Sequence, residues 1–417
     1  MHQGEGRGVP GWWAGAFLAL AGVLGGCTTN PPTEVGTSAS QAGGGSGGAG
    51  STGGGGGTGA GGGNTGGTSH PTGQSIPRWS GAVPLAPGAK PPQFVVVSWD
   101  GSGADGSGLF QHYRQLAGQL GGSMTFFLTG IYLLPKDKRT LYQPPGRASG
   151  ASDIGFLADA SVRATVEQVG LAAREGHEIG THFNGHFCGA KGVNTWSPAD
   201  WDQEIEQAVA LVTNWRANTG ITDLPDLPFD YRATLVGGRS PCLEGRAALL
   251  QAQALRTWRY DSSGGRRQTW PTKVPGSHLW DLSLQSIPFG PRAREVLAMD
   301  YNFMANQPLP PAPATASPTE LAAMQAQVRD AYLAGFRRSD DGNRAPLIIG
   351  NHFERWRGGI YVQGLDEALR AMASNPDVRF VSFRQLCDWL DAQPPDTLSR
   401  LQRLPVGAAP VGGWARL

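Results

Sequence analysis

Two histidines four residues apart and one aspartate upstream are the side chains of this chain best suited to chemistry. His182 and His186 lie in the segment 180–186, and Asp100 follows an apolar run. Two imidazoles and one carboxylate can bind a divalent cation while leaving coordination positions open for water and substrate. Taken alone, each could be a surface histidine or a turn aspartate. Together they predict a hydrolytic metal site that holds Zn²⁺ or another divalent metal such as Co²⁺.

The elements that must position these residues follow from the hydrophobic pattern. Amphipathic helical segments alternate with short apolar runs, which predict strands at 94–98, 124–128, 178–182, 254–260, 296–303, 347–351 and 378–382. One helix is predicted to begin at Ser197 and Pro198, a capping residue followed by proline, and to end near Gly220. The alternation favours an α/β fold with about seven mostly parallel strands, open or closed into a barrel.

The candidate site residues recur at one position in this arrangement, the carboxyl end of a predicted strand. Asp100, His182, Asp261 and His352 each lie there. In a parallel sheet or barrel these ends meet at one edge, where functional residues gather. We therefore expect the four side chains to face one cleft.

The order of the motifs resembles that of the polysaccharide deacetylases of carbohydrate esterase family four, over roughly residues 92 to 392. The resemblance implies the family's NodB-homology domain, a distorted (β/α) barrel. Segment 98–101, Ser-Trp-Asp-Gly, aligns with the end of the family's Thr-Phe-Asp-Asp-Gly motif and makes Asp100 the metal-binding carboxylate. His182 and His186 match the His-(Ser/Thr)-x-x-His motif in spacing, although Phe183 stands at its second position. Both histidines would bind the metal.

The remaining motifs imply the other catalytic residues. Arg239 begins a match to the family's Arg-x-Pro-Tyr motif, which here ends in Cys242, and the backbone N–H of that residue would hold the developing oxyanion. His352 loosely matches the Leu-x-His motif and would protonate the leaving amine. Asp261 is what remains of a weak fourth motif, in which it would orient an imidazole. The alternative for Asp261 is a serine-rich turn that caps itself.

Trp99 is the departure from the family that matters most, because family members place the catalytic base, a second aspartate, at this position. Indole cannot accept a proton from water. Either the cation generates the nucleophile without a dedicated base, or a different carboxylate acts as the base, the candidates being Asp105, Asp261, Asp300 and Glu354.

Two hypotheses are alternatives to a metal-dependent polysaccharide deacetylase. In the first, the chain is a catalytically impaired pseudoenzyme that binds glycan through the same groove, with Trp99 facing the cleft and stacking on a sugar. In the second, it hydrolyses a different acyl or amide substrate on the same scaffold. The segment 269–313 is longer than a simple barrel requires and could reshape the groove.

The N-terminal sequence predicts export. An apolar stretch at 12–26 ends in small residues before Cys27, a pattern that resembles a bacterial lipobox with Cys27 as the lipidated residue. The alternative is an ordinary signal peptide. We expect a signal peptide at 1–26, a disordered Gly/Ser/Thr-rich tether at 27–78, the catalytic domain at 79–395 and a tail at 396–417. The protein would then be a membrane-anchored lipoprotein facing the periplasm or the cell exterior.

Charge and cysteine content bear on the partners. The formal net charge is +1 and no basic cluster occurs, so nucleic acid is not expected as a partner. The expected partner is an acetylated polysaccharide, and the chain is expected to be a monomer. Export permits disulfides, and Cys188 and Cys242, which both lie in candidate site loops, are predicted to form one. Cys387 has helical spacing among apolar neighbours and is predicted to be a buried free thiol.

Overall fold

The structure, a computed structural model, describes residues 79, 81–308 and 316–417. The predicted signal peptide and the whole predicted tether, including Cys27, lie outside the described residues. No helix among the described residues is long and apolar enough to cross a membrane.

Twelve strands occur among the described residues. They are β1 (Gln93–Gly101), β2 (Thr125–Leu128), β3 (Glu178–Thr181), β4 (Gly237–Gly238), β5 (Tyr260–Asp261), β6 (Gly265–Arg266), β7 (Thr272–Lys273), β8 (Trp280–Asp281), β9 (Leu284–Phe289), β10 (Arg294–Leu297), β11 (Leu347–His352) and β12 (Val378–Phe380). Nine of them form one sheet in the order β11-β1-β2-β3-β4-β5-β8-β7, with β12 beside the first residues of β1. All neighbours in this sheet are parallel except β7 and β8.

The sheet curls into a half-barrel, and the prediction of an α/β fold with a mostly parallel sheet is confirmed. A second, three-stranded sheet joins β10, β9 and β6. It is built largely from the segment 269–313, which the sequence identified as longer than the barrel needs.

Eleven α-helices lie among the described residues. They are α1 (Leu109–Gln119), α2 (Asp159–Arg174), α3 (Pro198–Thr213), α4 (Trp215–Thr219), α5 (Tyr231–Thr234), α6 (Arg246–Ala254), α7 (Asp300–Asn306), α8 (Pro318–Asp340), α9 (Trp356–Ala373), α10 (Phe383–Ala392) and α11 (Pro395–Gln402). The predicted start of α3 is confirmed, because the Ser197 side chain accepts from the Asp200 backbone N–H in a complete capping box. The prediction of one helix as far as Gly220 is wrong, because α3 ends at Thr213 and a separate α4 follows Asn214; Gly220, in the left-handed conformation, ends α4.

Five of the seven predicted strands are confirmed, and two are wrong. Residues 254–260 are strand only from Tyr260, because α6 extends to Ala254. Residues 296–303 divide between the end of β10 and the start of α7 at Asp300. Both segments bury apolar side chains, and burial alone does not distinguish a strand from a short helix.

Strand β1 sends its side chains alternately into two cores. Val95, Val97 and Trp99 belong to a core that includes residues of α1, α2, α3, α8 and α9. Phe94 and Val96 belong to the smaller core with α10 and α11. Since successive side chains of a strand point to opposite faces, Asp100 lies on the opposite face from Trp99.

The predicted tail at 396–417 packs on the domain. It includes most of α11, whose Leu401 is fully buried in the smaller core. Trp414 and Leu417 pack against the same core. These C-terminal residues are therefore part of the fold.

Candidate active site

A buried ion pair stands at the carboxyl end of β1. The Arg239 guanidinium donates from Nη1 to Asp100 Oδ1 at 2.7 Å and to Ser98 Oγ at 2.9 Å, and from Nη2 to Ser262 Oγ at 2.8 Å. Arg239 is fully buried, and Asp100 is 6% exposed. Burial raises the pKa of Asp100, but the charge of Arg239 and the nearby imidazoles outweigh it, so its pKa lies below the usual value. Asp100 is therefore ionised at neutral pH.

The two histidines come together after β3. The Nδ1–H of His182 donates to the Arg239 carbonyl oxygen at 2.9 Å, because a carbonyl only accepts, and this leaves Nε2 free. The His182 and His186 rings are 5.2 Å apart between centroids. Burial lowers the pKa of His182 to about 3, and burial also lowers that of His186. A neutral imidazole with a free nitrogen is the form that binds a metal.

The donor set fits a metal only in part. Two neutral imidazoles side by side suit a divalent cation such as Zn²⁺. Asp100 does not complete the group, because the described ligand atoms that lie within 4.8 Å of one another in a group of three are those of His186, Cys188 and Cys242. Cys188 and Cys242 are joined in a disulfide and offer no thiolate to a metal. One oxygen of Asp100 is also committed to Arg239. His182 and His186 could therefore hold a metal cation, whereas Asp100 forms an ion pair with the Arg239 guanidinium.

A carboxylate that the sequence did not identify anchors the histidine loop. Fully buried Glu204 of α3 accepts from the backbone N–H of Asn184, which lies between the histidines, at 3.0 Å, and from the Tyr142 hydroxyl at 3.0 Å. The Asn184 Nδ2 donates to the Glu204 carbonyl. Phe183 and His186 have φ of 60° and 53°, so the loop is held in a left-handed conformation uncommon for such residues. The sequence signal that could have identified Glu204 is an acidic residue on the buried face of an amphipathic helix.

His352 faces Asp100 across two paired strands. The two residues are register partners in β1 and β11. The Asp300 carboxylate accepts from His352 Nδ1 at 2.8 Å and from its backbone N–H at 2.7 Å. Burial lowers the pKa of His352, but the charge and hydrogen bond of Asp300 outweigh it and raise the pKa to about 9. His352 is therefore protonated at neutral pH, as a general acid must be.

Asp261 does not occupy the position that the sequence interpretation gave it. Its carboxylate accepts from Arg246 Nε at 2.6 Å, from Gln253 Nε2 at 3.2 Å and from the Ser263 hydroxyl at 2.8 Å. It also accepts from the Ser263 backbone N–H, which is the self-capping turn considered as its alternative. The imidazole-orienting acid is Asp300, which the sequence identified only as a candidate base.

Trp99 does not face the cleft, so the prediction that it stacks on a sugar is wrong. It is fully buried and lies against Tyr113 and Phe353, with ring centroids 3.8 and 4.9 Å away. Its Nε1 donates to the Met124 sulfur at 3.4 Å. Because Trp99 and Asp100 are consecutive strand residues, they cannot both point into the cleft.

The other candidate bases lie at the rim. Asp105 is exposed and accepts from the Ser107 backbone N–H at 2.9 Å in a local turn. Glu354 is exposed two residues after His352, and burial of part of its surface raises its pKa. Neither is hydrogen-bonded to the groups described above, whereas Asp100 is buried at the end of β1 in register with His352.

A disulfide between Cys188 and Cys242 joins the histidine loop to the loop that follows Arg239. Cys242 is the second residue of a short 3₁₀ turn, Pro241–Leu243, and its φ of 55° is left-handed and not helical. Its role toward an oxyanion stays a prediction. Cys387 is buried and free, as predicted.

Comparison with known proteins gives similarities in structure only. No protein-family model matches the chain, and no curated protein matches it. A Mycobacterium smegmatis protein assigned as a polysaccharide deacetylase is 16% identical over 75% of this chain and 97% of its own, with a TM-score of 0.44.

Two further structures belong to the family that the motifs resemble. A family 4 carbohydrate esterase from Streptomyces lividans, in complex with acetate, is 11% identical over 71% of this chain and 95% of its own, with a TM-score of 0.36. A pseudoenzyme of the same family from Bacillus anthracis is 9% identical over 73% of this chain and 68% of its own, with a TM-score of 0.36.

Proposed function

We propose that this chain is a hydrolase that removes acetyl groups from a polysaccharide. The observation that carries the proposal is a pair of opposed groups at the strand ends, the ionised Asp100 held by Arg239 and the protonated His352 held by Asp300. Asp100 and His352 are register partners on adjacent strands, so an acid and a carboxylate face the same cleft. Hydrolysis of an amide or ester needs such a pair.

His352 supplies the proton for the leaving group. Its Nδ1–H is committed to Asp300, which leaves the Nε2–H to donate. Water oxygen bonds to the acetyl carbon, the carbon–nitrogen or carbon–oxygen bond breaks, and the departing amine or alcohol takes the proton from Nε2. Acetate is the second product. Asp300 stabilises the imidazolium until that transfer.

Asp100 orients the attacking water and accepts its proton. Its low pKa makes it a weak base, because proton-transfer efficiency falls with basicity. A divalent cation held by His182 and His186 would offset this weakness by polarising the acetyl carbonyl and acidifying water. Arg239 keeps the Asp100 carboxylate ionised and fixed in place. The N–H of Cys242 is proposed to hold the oxyanion, supported by the position of Cys242 three residues after Arg239, the partner of Asp100.

The proposed substrate is an N-acetyl hexosamine glycan outside the cytoplasm, such as peptidoglycan or an exopolysaccharide. The support is the lipobox-like sequence that ends at Cys27 and the long glycine-rich segment after it. A lipid on Cys27 would anchor a monomeric enzyme to a membrane and keep it near such a glycan.

The test is acetate release by the full chain, loaded with zinc, from acetylated peptidoglycan, chitooligosaccharides and acetylated xylan. The variants Asp100→Asn and His352→Gln should each lower the rate by about 10²-fold or more. Asp226→Asn changes an exposed acid that pairs with Arg216 and is the matched control. Release by the parent that both site variants retain would contradict the proposed roles.

A specific observation also favours the pseudoenzyme as a second candidate. Asp100 is not gathered with His182 and His186 within 4.8 Å, and the usual base position holds the buried Trp99. A pseudoenzyme would bind glycan without releasing acetate at any zinc concentration. Measurable release above the Asp100→Asn variant would eliminate this candidate.

A further inference from the structure

An aromatic patch, Tyr301 and Trp356, lies beside His352. Tyr301 is in the first turn of α7, next to Asp300, and at 43% exposure it is the one aromatic residue classed as exposed among the described residues. The Trp356 ring lies 5.6 Å from the His352 ring and 6.1 Å from the Tyr301 ring, between centroids. The patch therefore adjoins the residue that donates the proton.

The backbone that presents Trp356 is strained. Arg357, Gly358 and Gly359 have consecutive φ values of 51°, 75° and 87°, and a left-handed arginine is uncommon. Arg355 Nη2 donates to the Ser107 carbonyl at 2.8 Å and ties this segment to the loop after β1. Such conformations persist where the surroundings enforce them, and they concentrate at functional sites. The segment thus fixes Trp356 at the cleft.

The polar groups of the patch are free to meet a ligand. Trp270 and Trp280 donate their indole N–H groups at 2.7 Å to Asn343 O and Asp391 Oδ1. Trp356 Nε1 has no acceptor in the part of the chain that the structure describes. The exposed Glu354 carboxylate, two residues earlier, supplies acceptors. The two rings are inclined by 66°, so an exposed aromatic ring with a second ring, a donor and an acceptor beside it is available to a ligand. This arrangement suits a ligand that is apolar on one face and hydroxylated around its rim.

We propose that Tyr301 and Trp356 form a subsite that stacks against a pyranose ring, adjacent to the sugar whose acetyl group is removed. A pyranose presents C–H groups on one face, which pack on aromatic rings, while its hydroxyls reach the Trp356 N–H and Glu354. The proposal rests on the proposed function for the identity of the glycan. It adds that the enzyme recognises more than one sugar and requires an oligosaccharide.

Calorimetric titration with N-acetylglucosamine hexamer and with acetylated xylohexaose tests the subsite without requiring turnover. The full chain is compared with Tyr301→Ala, Trp356→Ala and the conservative Tyr301→Phe, which keeps the ring and removes the hydroxyl. We expect either alanine variant to bind the preferred hexamer about five- to tenfold more weakly, and Tyr301→Phe to bind within about twofold of the parent. Leu255→Ala, at a side chain 86% exposed on α6's end, is the control.

Turnover separates the subsite from the proposed function. We expect Tyr301→Ala to raise KM for the hexamer, whereas Leu255→Ala should leave both that KM and the hydrolysis of p-nitrophenyl acetate, which has no sugar, within about twofold of the parent. Hexamer binding that is equal in the parent and both alanine variants overturns the subsite, as does a parent that binds neither hexamer. Binding lost in the variants while the parent releases no acetate supports the subsite and contradicts the hydrolase.

Discussion

Asp300 determines the pH at which His352 loses its proton. The raised pKa, about 9, means that His352 is protonated below that pH and that acid catalysis is lost as the pH rises through it. In Asp300→Asn the charge that holds the imidazolium is gone, so the alkaline limb of the rate profile should move down by one or more pH units. The rate at neutral pH should fall by about 10- to 100-fold.

The measurement is acetate release as a function of pH for the parent and the variant. A purely structural role of Asp300 would lower the rate at every pH and leave the limb in place. Asp226→Asn should reproduce the parent profile. An alkaline limb that is unmoved in Asp300→Asn would refute the pairing as the source of the acid.

Glu204, which anchors the histidine loop, makes the stability of the folded chain depend on pH. Burial raises its pKa from 4.5 to about 7 in the folded chain. The favourable contribution of the protonated form is complete below about pH 4.5 and is lost as the pH rises through 7. Glu204→Gln keeps the shape and an acceptor for Asn184 without the charge. Its stability relative to the parent should therefore rise between pH 5 and pH 8, by on the order of 2–3 kcal/mol at most.

Urea denaturation of the two proteins at several pH values checks this. The difference between them isolates Glu204, because the other titrating groups are common to both. A difference that does not change with pH would mean that Glu204 titrates normally. A shift of the opposite sign would mean that the folded chain holds the carboxylate ionised.

The disulfide connects two loops that carry the site. Cys188 follows His186 by two residues, and Cys242 follows Arg239 by three, so the bond limits how far the imidazole pair can separate from the Asp100–Arg239 pair. The double variant Cys188→Ser/Cys242→Ser should lose about 2–4 kcal/mol of stability. Its rate of acetate release should fall by more than the loss of folded protein accounts for.

Thermal denaturation with and without a reductant measures the first effect. Reduction should lower the melting temperature of the parent and leave that of the double variant unchanged. Cys387→Ala retains the bond and should respond to the reductant as the parent does. Equal sensitivity of the parent and the double variant would show that the bond does not constrain the fold.

The positions of the strands could be predicted from the sequence more readily than the contacts of their side chains. Parallel strands with apolar runs, such as β1 and β11, were predictable because their faces are both buried, and the order of the motifs located Asp100, His182 and His352 at strand ends. The direction of each side chain was harder. Alternation along β1 turns Trp99 into the helix-packed core. The partner of Asp261 could not be predicted, because Arg246 lies on a different element, α6. The partner of His352 could not be predicted, because Asp300 was assigned to a strand.

The C-terminal residues of the chain complete the smaller core. Leu401 of α11 is fully buried there, and Trp414 and Leu417 pack against the same cluster. Gly407 packs backbone against backbone with Gly342 at the end of α8. This core also contains Phe94 and Val96 of β1, the strand that carries Asp100. Loss of packing at the C-terminus should therefore destabilise β1 and, with it, the position of Asp100.

Leu401→Ala tests that connection. Truncating a buried leucine costs about 2–5 kcal/mol, so the melting temperature should fall by several degrees. Leu255→Ala, on a side chain 86% exposed, removes the same atoms without a core contact and should be neutral. If residues 396–417 were a separate tail, both variants would behave alike. Because the packed terminus supports β1, a variant that ends at residue 395 should unfold at still lower temperature than Leu401→Ala and release less acetate at a temperature where the parent is folded.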